Sequence, residues 1–131
     1  MNILPGKIIE IKVSGNLVSA NISVSGELFT SLLTAPEFPY ESGEEVNLLF
    51  KETEVSIGKN ISGSYSIRNR FRGTIERVVT GEILTEITLK FKGYSINSLI
   101  TTASAIEMDI KSGDEAEGFL KSNELMLIRK K

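Results

Sequence analysis

Asn69-Arg70-Phe71-Arg72-Gly73-Thr74-Ile75 restates the opening of the chain, Asn2-Ile3-Leu4-Pro5-Gly6-Lys7-Ile8. Both stretches read Asn, any, apolar, any, Gly, any, Ile. Working outward from them, two more blocks recur in the same order and turn a local likeness into an internal repeat. Gly26 with Phe29-Thr30-Ser31-Leu32-Leu33-Thr34 returns as Gly93 with Ile96-Asn97-Ser98-Leu99-Ile100-Thr101. Ser42-Gly43-Glu44-Glu45, with Phe50-Lys51 and Glu54-Val55, returns as Ser112-Gly113-Asp114-Glu115, with Leu120-Lys121 and Glu124-Leu125. The first repeat is therefore placed at 1–57 and the second at 66–131. The polar, glycine-bearing segment 58–65 is the expected connector. Units of about 65 residues bury too little surface to be secure alone, so the two should share strands or pack in an oligomer.

Within each repeat the hydrophobic period is two. Val18, Ala20, Ile22 and Val24 alternate with polar residues, as do Thr85, Ile87, Leu89 and Phe91. Such alternation, rich in β-branched residues, specifies half-buried strands. Gly15, Gly26, Gly81 and Gly93 punctuate them as turns. Val46, Leu48 and Phe50 form a further strand, and another is expected from Thr53 to Ile57. About five short strands per repeat predict an all-β protein made of two tandem OB-like five-stranded barrels, which manage their edges by closing. One short helix is predicted in the second repeat, over 102–110, with Thr101 as its cap. The matching part of the first repeat, Ala35-Pro36-Glu37-Phe38-Pro39-Tyr40, holds two prolines and is not expected to be helical.

Composition narrows the chemistry. The 131 residues include no His, Cys or Trp, which removes the usual ligands of zinc, haem and iron–sulfur sites, the commonest general base and the thiol nucleophile. No nucleophile–base pair is visible, so no enzymatic activity and no catalytic cofactor are expected. The net charge of −2 disfavours general nucleic-acid binding. The run Arg68-Asn69-Arg70-Phe71-Arg72, with Phe71 as a platform for bases, keeps an OB-type nucleic-acid module as the lesser alternative. No apolar run reaches the roughly 18 residues that span a bilayer, and the opening residues do not read as a signal peptide, so a cytoplasmic address is expected.

The second repeat contains Ser66-Ile67-Arg68-Asn69, Gly73, Gly81, Gly93, Ile100-Thr101-Thr102-Ala103-Ser104-Ala105 and Leu120-Lys121-Ser122. This ordered set resembles the TOBE, or Mop-type molbindin, pattern S-x-R-N…G…G…I-T-x-x-S-A…K-[AS], and the first repeat follows it more weakly. Two copies in one chain resemble the di-domain molbindins. They also resemble the sensing half of molybdate-responsive transcription regulators and the regulatory tail of molybdate transport ATPases. No helix-turn-helix segment or P-loop accompanies them, and the start at Met1 on the first repeat favours a free-standing binding protein. The resemblance implies bound molybdate or tungstate, with a role in storage, buffering or delivery, or alternatively in sensing. Carried over, the oxyanion ligands are Ser66, Arg68, Thr101, Ser104, Lys121 and Ser122, with no direct protein–metal bond. The resemblance further implies sites between subunits of a homo-oligomer, a trimer by likeness to the di-domain molbindins or a dimer by likeness to the regulators.

These residue types suit a tetrahedral dianion, whose four oxygens only accept hydrogen bonds. Arg68 offers forked donors and a permanent charge, Lys121 a second charge, and the hydroxyls rotate to fit. Thr101 to Ser104 also fall at the predicted helix start, where free amides favour anions. Against sulfate, selection would rest on cavity size. The first repeat departs from the pattern: only Met1 precedes Asn2, Glu37 stands where the second repeat has Ser104, and Glu52 follows Lys51 where it has Ser122. It is therefore expected to complete the architecture rather than form a full site, although Thr34 and Lys51 remain.

Overall fold

The computed structural model describes residues 1–34 and 39–130. Among these the elements run β1 (Asn2–Ser14), β2 (Leu17–Val24), β3 (Glu27–Thr34), β4 (Glu45–Phe50), β5 (Ser56–Gly58), β6 (Asn69–Thr80), β7 (Leu84–Phe91), β8 (Tyr94–Thr101), α1 (Thr102–Glu107), β9 (Glu115–Leu120) and β10 (Met126–Arg129). The protein is nearly all β, in two five-stranded sheets with one short helix, as the period-two pattern predicts.

Alternation converts directly into burial. Ala20, Ile22 and Val24 on β2, Val46, Leu48 and Phe50 on β4, and Ile87 and Leu89 on β7 are fully buried, while their chain neighbours face outward or lie half-buried except Thr88, which is buried between Ile87 and Leu89. The β2–β3 and β7–β8 hairpins turn on Ser25-Gly26 and Lys92-Gly93. All four residues have positive φ, the geometry of a two-residue turn that matches strand twist. β1 and β6 are long enough to serve two partners each. Their first halves pair with β4 and β9, and their second halves with β2 and β7. The change of partner is accommodated by a register shift at Ile8/Glu10 and again at Ile75/Arg77, which lets the sheet curl. The repeated Ser-Gly turn docks at each shift: Gly43 N–H donates to Ile8 O at 2.7 Å, and Gly113 N–H to Ile75 O at 2.7 Å. The hydroxyls of Ser42 and Ser112 donate to Ile9 O and Glu76 O.

The two sheets exchange their last strands. β5, which ends the first repeat, pairs antiparallel with β9, and β10, which ends the second, pairs antiparallel with β4. The strand orders are β10-β4-β1-β2-β3 and β5-β9-β6-β7-β8. Each crossing begins with a 3-10 turn, Glu52–Glu54 or Ser122–Glu124. The first of these replaces the start of the strand expected from Thr53, because the chain must bend there to reach the other sheet.

Paired hydrogen bonds seal the crossing. Asn69 accepts from Thr30 N–H at 2.7 Å and donates to Thr30 O at 2.9 Å, while Asn2 accepts from Asn97 N–H and donates to Asn97 O, both at 2.8 Å. Ser31 Oγ donates to Leu125 O at 2.5 Å, and Ser98 Oγ to Val55 O at 2.6 Å. Beneath them lies one core drawn from both repeats, centred on Phe29, Phe50, Phe71 and Phe91. Phe50 and Phe71 stack at 5.4 Å, and Phe91 meets Phe29 and Phe71 edge-on. Phe71 is fully buried, which removes the aromatic platform of the nucleic-acid reading. The mutual cover answers the small size of each repeat.

Two further expectations meet the structure differently. The helix ends at Glu107 rather than 110, because Met108 caps it and Asp109 turns into positive φ. Residues 35–38, including Glu37 and the first proline of that segment, lie outside the described residues.

Asn69→Ala is expected to leave Thr30 N–H and O unpaired at a buried seam and to cost about 1–3 kcal/mol. A thermal melt should register this as a clear drop in midpoint, with Asn2→Ala giving a similar loss.

Candidate functional site

The six candidate residues fall into two groups. Asn69 and Leu120 are register partners at the end of the β6–β9 ladder. One step beyond that pair, the chain carries Arg68 on one side and Lys121 on the other, with Ser66 and Ser122 flanking them. Ser66, Arg68 and Lys121 are exposed, and Ser122 is half-buried as the first residue of its 3-10 turn. Neither the Arg68 nor the Lys121 side chain has a hydrogen bond or ion pair among the described residues. Two cations without an ion pair among the described residues thus follow directly on one end of the ladder.

Thr101 and Ser104 form the second group, at the junction of β8 and α1. Thr101 Oγ1 accepts from Ser104 N–H at 3.1 Å and donates its own proton to Ser104 Oγ at 2.9 Å. That leaves the Ser104 hydroxyl proton free to donate outward. No hydrogen bond or ion pair among the described residues joins this group to the first. Ser104 also lines a surface cavity of about 330 Å³ with Ser56, Ile57, Ile100, Glu107 and Met108.

The α1 junction is anchored from below by a residue the sequence does not single out. Thr102 is buried, and its hydroxyl donates to Gly81 O at 2.9 Å. With that proton committed, Thr85 Oγ1 is the donor in the 2.9 Å contact between the two threonines. At the far end of α1, Lys59 Nζ reaches Met108 O, Asp109 O and Asp114 Oδ2 at 3.0–3.1 Å. The bond from Lys59, with a second from Lys111 N–H, holds the Asp114 carboxyl below its ordinary range. Lys111 is itself shifted upward by Asp109. Neither anchor has a counterpart in the repeat motif, so only the three-dimensional arrangement exposes them.

The remaining arginines of the run are engaged. Arg70 donates to Tyr65 Oη at 2.6 Å and lies 4.8 Å from the Tyr65 ring centre, and Arg72 pairs with Glu117 at 2.9 Å. The hydrogen bond to Tyr65 raises the Arg70 pKa further above its already high ordinary value. In the first repeat, Lys51 is exposed, and Glu52 pairs with the α-ammonium of Met1. Among the described residues no group of three or more Asp or Glu could hold a metal ion, and no helix is long and apolar enough to cross a membrane.

Two curled five-stranded sheets that trade terminal strands, with an S-x-R-N lead and a T-x-x-S cap, define a Mop-type architecture. Residues 65–127 match the TOBE domain. The matched segment ends inside β10, so its last strand sits in the sheet of the other repeat. The molybdenum-pterin-binding protein MopB of Rhodobacter capsulatus is 31% identical over 107 residues, covering 78% of this chain and 40% of MopB. The chain thus spans about two fifths of the length of that relative. The cytoplasmic molybdate-binding protein ModG, crystallised with molybdate bound, superposes with a TM-score of 0.93 at 25% identity, over 98% of this chain and 96% of that one.

Because the Asp114 pKa is depressed on folding, its contribution is present at neutral pH and is lost as pH falls below about 4. Amide protection factors in 102–114, taken relative to intrinsic exchange at each pH, are expected to fall on acidification through that window, and Asp114→Asn to remove the acid-dependent step.

Proposed function

We propose that this protein binds molybdate, and tungstate alongside it, as a cytoplasmic oxyanion carrier that stores, buffers or delivers the anion and performs no catalysis. The observation that carries the reading is the pair Arg68 and Lys121. Both are exposed cations without an acidic partner among the described residues, each one residue beyond the Asn69–Leu120 register pair, with Ser122 next to Lys121 and Ser66 two positions before Arg68. Charge-assisted bonds from such groups are short and strong. Two cations against a dianion also leave no net charge to bury. The likeness to MopB and ModG supports molybdate in particular.

Within one chain no hydrogen bond or ion pair among the described residues joins the Thr101–Ser104 group to the cationic group. We take the full site to form where Ser66, Arg68, Lys121 and Ser122 of one subunit meet Thr101 and Ser104 of another, in a closed homotrimer. Ser104, whose proton is free, is the hydroxyl donor of the second group. Molybdate and tungstate, nearly equal in size and larger than sulfate, would fill the same space.

Sodium molybdate is expected to raise the thermal midpoint of the wild type, by the equivalent of about 2.7 kcal/mol at roughly 100 times Kd. Arg68→Ala should abolish the rise, and sulfate should give a much smaller one. A wild-type melting curve that does not move with molybdate or tungstate would remove the reading.

A further inference from the structure

Lys59 lies in the connector, directly after β5, yet its ammonium is spent at the far end of α1. Its three N–H donors meet three acceptors: Met108 O at 3.1 Å, Asp109 O at 3.1 Å and Asp114 Oδ2 at 3.0 Å. The ion pair is mostly withdrawn from solvent, with side-chain exposures of 22% and 23%. The two carbonyls belong to the close of a six-residue helix that is too short to be stable by itself. The second of them is on Asp109, a non-glycine residue held at φ 50°. Asp114 carries the other side of the turn: its carboxylate also accepts Lys111 N–H at 2.8 Å, and its carbonyl accepts Ile75 N–H at 2.8 Å. One side chain therefore fastens the C-terminal end of α1 and the loop behind it to the sheet.

Lys59 itself has little freedom. A side chain at Gly58 would fall 2.7 Å from Ile61 and 2.9 Å from Phe119, so the chain is seated tightly against β9 as it enters the connector. The other end of the connector is fixed as well, by Tyr65 against the Phe119 ring at 5.4 Å and under Arg70. In the opposite direction, α1 begins at the Thr101–Ser104 pair. A helix of little more than one turn transmits a displacement of its end directly to its start.

We propose that Lys59 is a positioning residue for oxyanion binding: by clamping Met108, Asp109 and Asp114 it fixes α1, and through α1 the hydroxyls of Thr101 and Ser104. The inference rests on the oxyanion reading above and adds to it a residue that never touches the anion. Lys59→Met keeps the aliphatic stem and removes the three donors, leaving two carbonyls and a carboxylate to water. The turn at 108–114 then loses its fastening, and Ser104 loses a fixed place from which to donate.

The test is calorimetric titration of sodium molybdate into wild type, Lys59→Met, Lys59→Arg and Arg68→Ala, with amide exchange followed over 102–114. Lys59→Met is expected to weaken binding about tenfold, the scale of losing a group that orients a ligand from behind. Faster exchange in α1 should accompany the loss, and Lys59→Arg should recover part of it. In a Thr101→Val/Ser104→Ala background, Lys59→Met should cost nothing more, because its effect passes through those hydroxyls. The proposal is overturned if Lys59→Met binds like wild type while Arg68→Ala does not bind, or if its cost is undiminished in the double-variant background. If the wild type itself takes up no molybdate, the oxyanion reading fails first and this one falls with it.

Discussion

The constraint on which everything else depends is the exchange of terminal strands between two sheets that are each too small to stand alone. β5 completes the sheet of the second repeat and β10 that of the first, so neither sheet has five strands until the whole chain has folded. The exchange puts Phe29, Phe50, Phe71 and Phe91 in contact across the seam, where ring pairs contribute beyond the area they bury. It also explains why the repeated block begins with Asn. The Asn2 and Asn69 amides replace the missing strand partner for Asn97 and Thr30, donating to one backbone oxygen and accepting from one backbone N–H on the other half. A Gln, one methylene longer, would not present both atoms at the same separation from the ladder.

The same exchange places the candidate site. β6 and β9 end together at Asn69 and Leu120, and beyond that point each chain segment leaves the sheet, one arriving from the connector and the other departing into the 3-10 turn toward β10. Side chains at such an end are not covered by a neighbouring strand. Arg68 and Lys121 are solvent-facing for that reason, whereas Arg70 and Arg72, one and two pleats further into the sheet, meet Tyr65 and Glu117. Three arginines evenly spaced in sequence thus have unequal chemical availability, decided by where the ladder stops.

Much of this was legible in the sequence, and the remainder was illegible for definite reasons. Period-two burial predicted β2, β4 and β7 because each has one face in the core and one outside it. The repeat predicted two equivalent sheets, and the size of each half predicted either shared strands or an oligomer, of which the chain shows the first. Which strand would cross was not readable: alternation reports a buried face, not the identity of the hydrogen-bonding neighbour. Phe71 in its arginine-rich run looks like an exposed aromatic platform until the pleat is assigned, and the pleat sends it to the opposite face from its charged neighbours. The end of α1 was misplaced because the pattern of Ala, Ile and Met continues past Met108, while a lysine some fifty positions earlier takes the carbonyls that would otherwise continue the helix. The connector read as polar and loop-forming, and Lys59 within it carried no signal at all, since its three acceptors come together only when α1 and the 109–114 turn have folded.

Comparing the repeats separates architecture from chemistry. The positions kept in both halves are those of the seam and the bends: Asn2 and Asn69, Ser31 and Ser98, Ser42 and Ser112, Gly43 and Gly113. Each pair makes matching hydrogen bonds in the two sheets or across them. The positions that differ are largely outward-facing: Met1 against Arg68, Glu52 against Ser122. Substitutions at such places leave the seam intact, because no bond that joins the sheets passes through them. A duplicated fold of this kind is free to lose a binding function in one half without losing the half itself, since the second sheet still needs β5 from the first. The first repeat is held in place by the mechanical requirement of strand exchange, and the S-x-R-N lead and the Ser that follows the lysine stand only in the second.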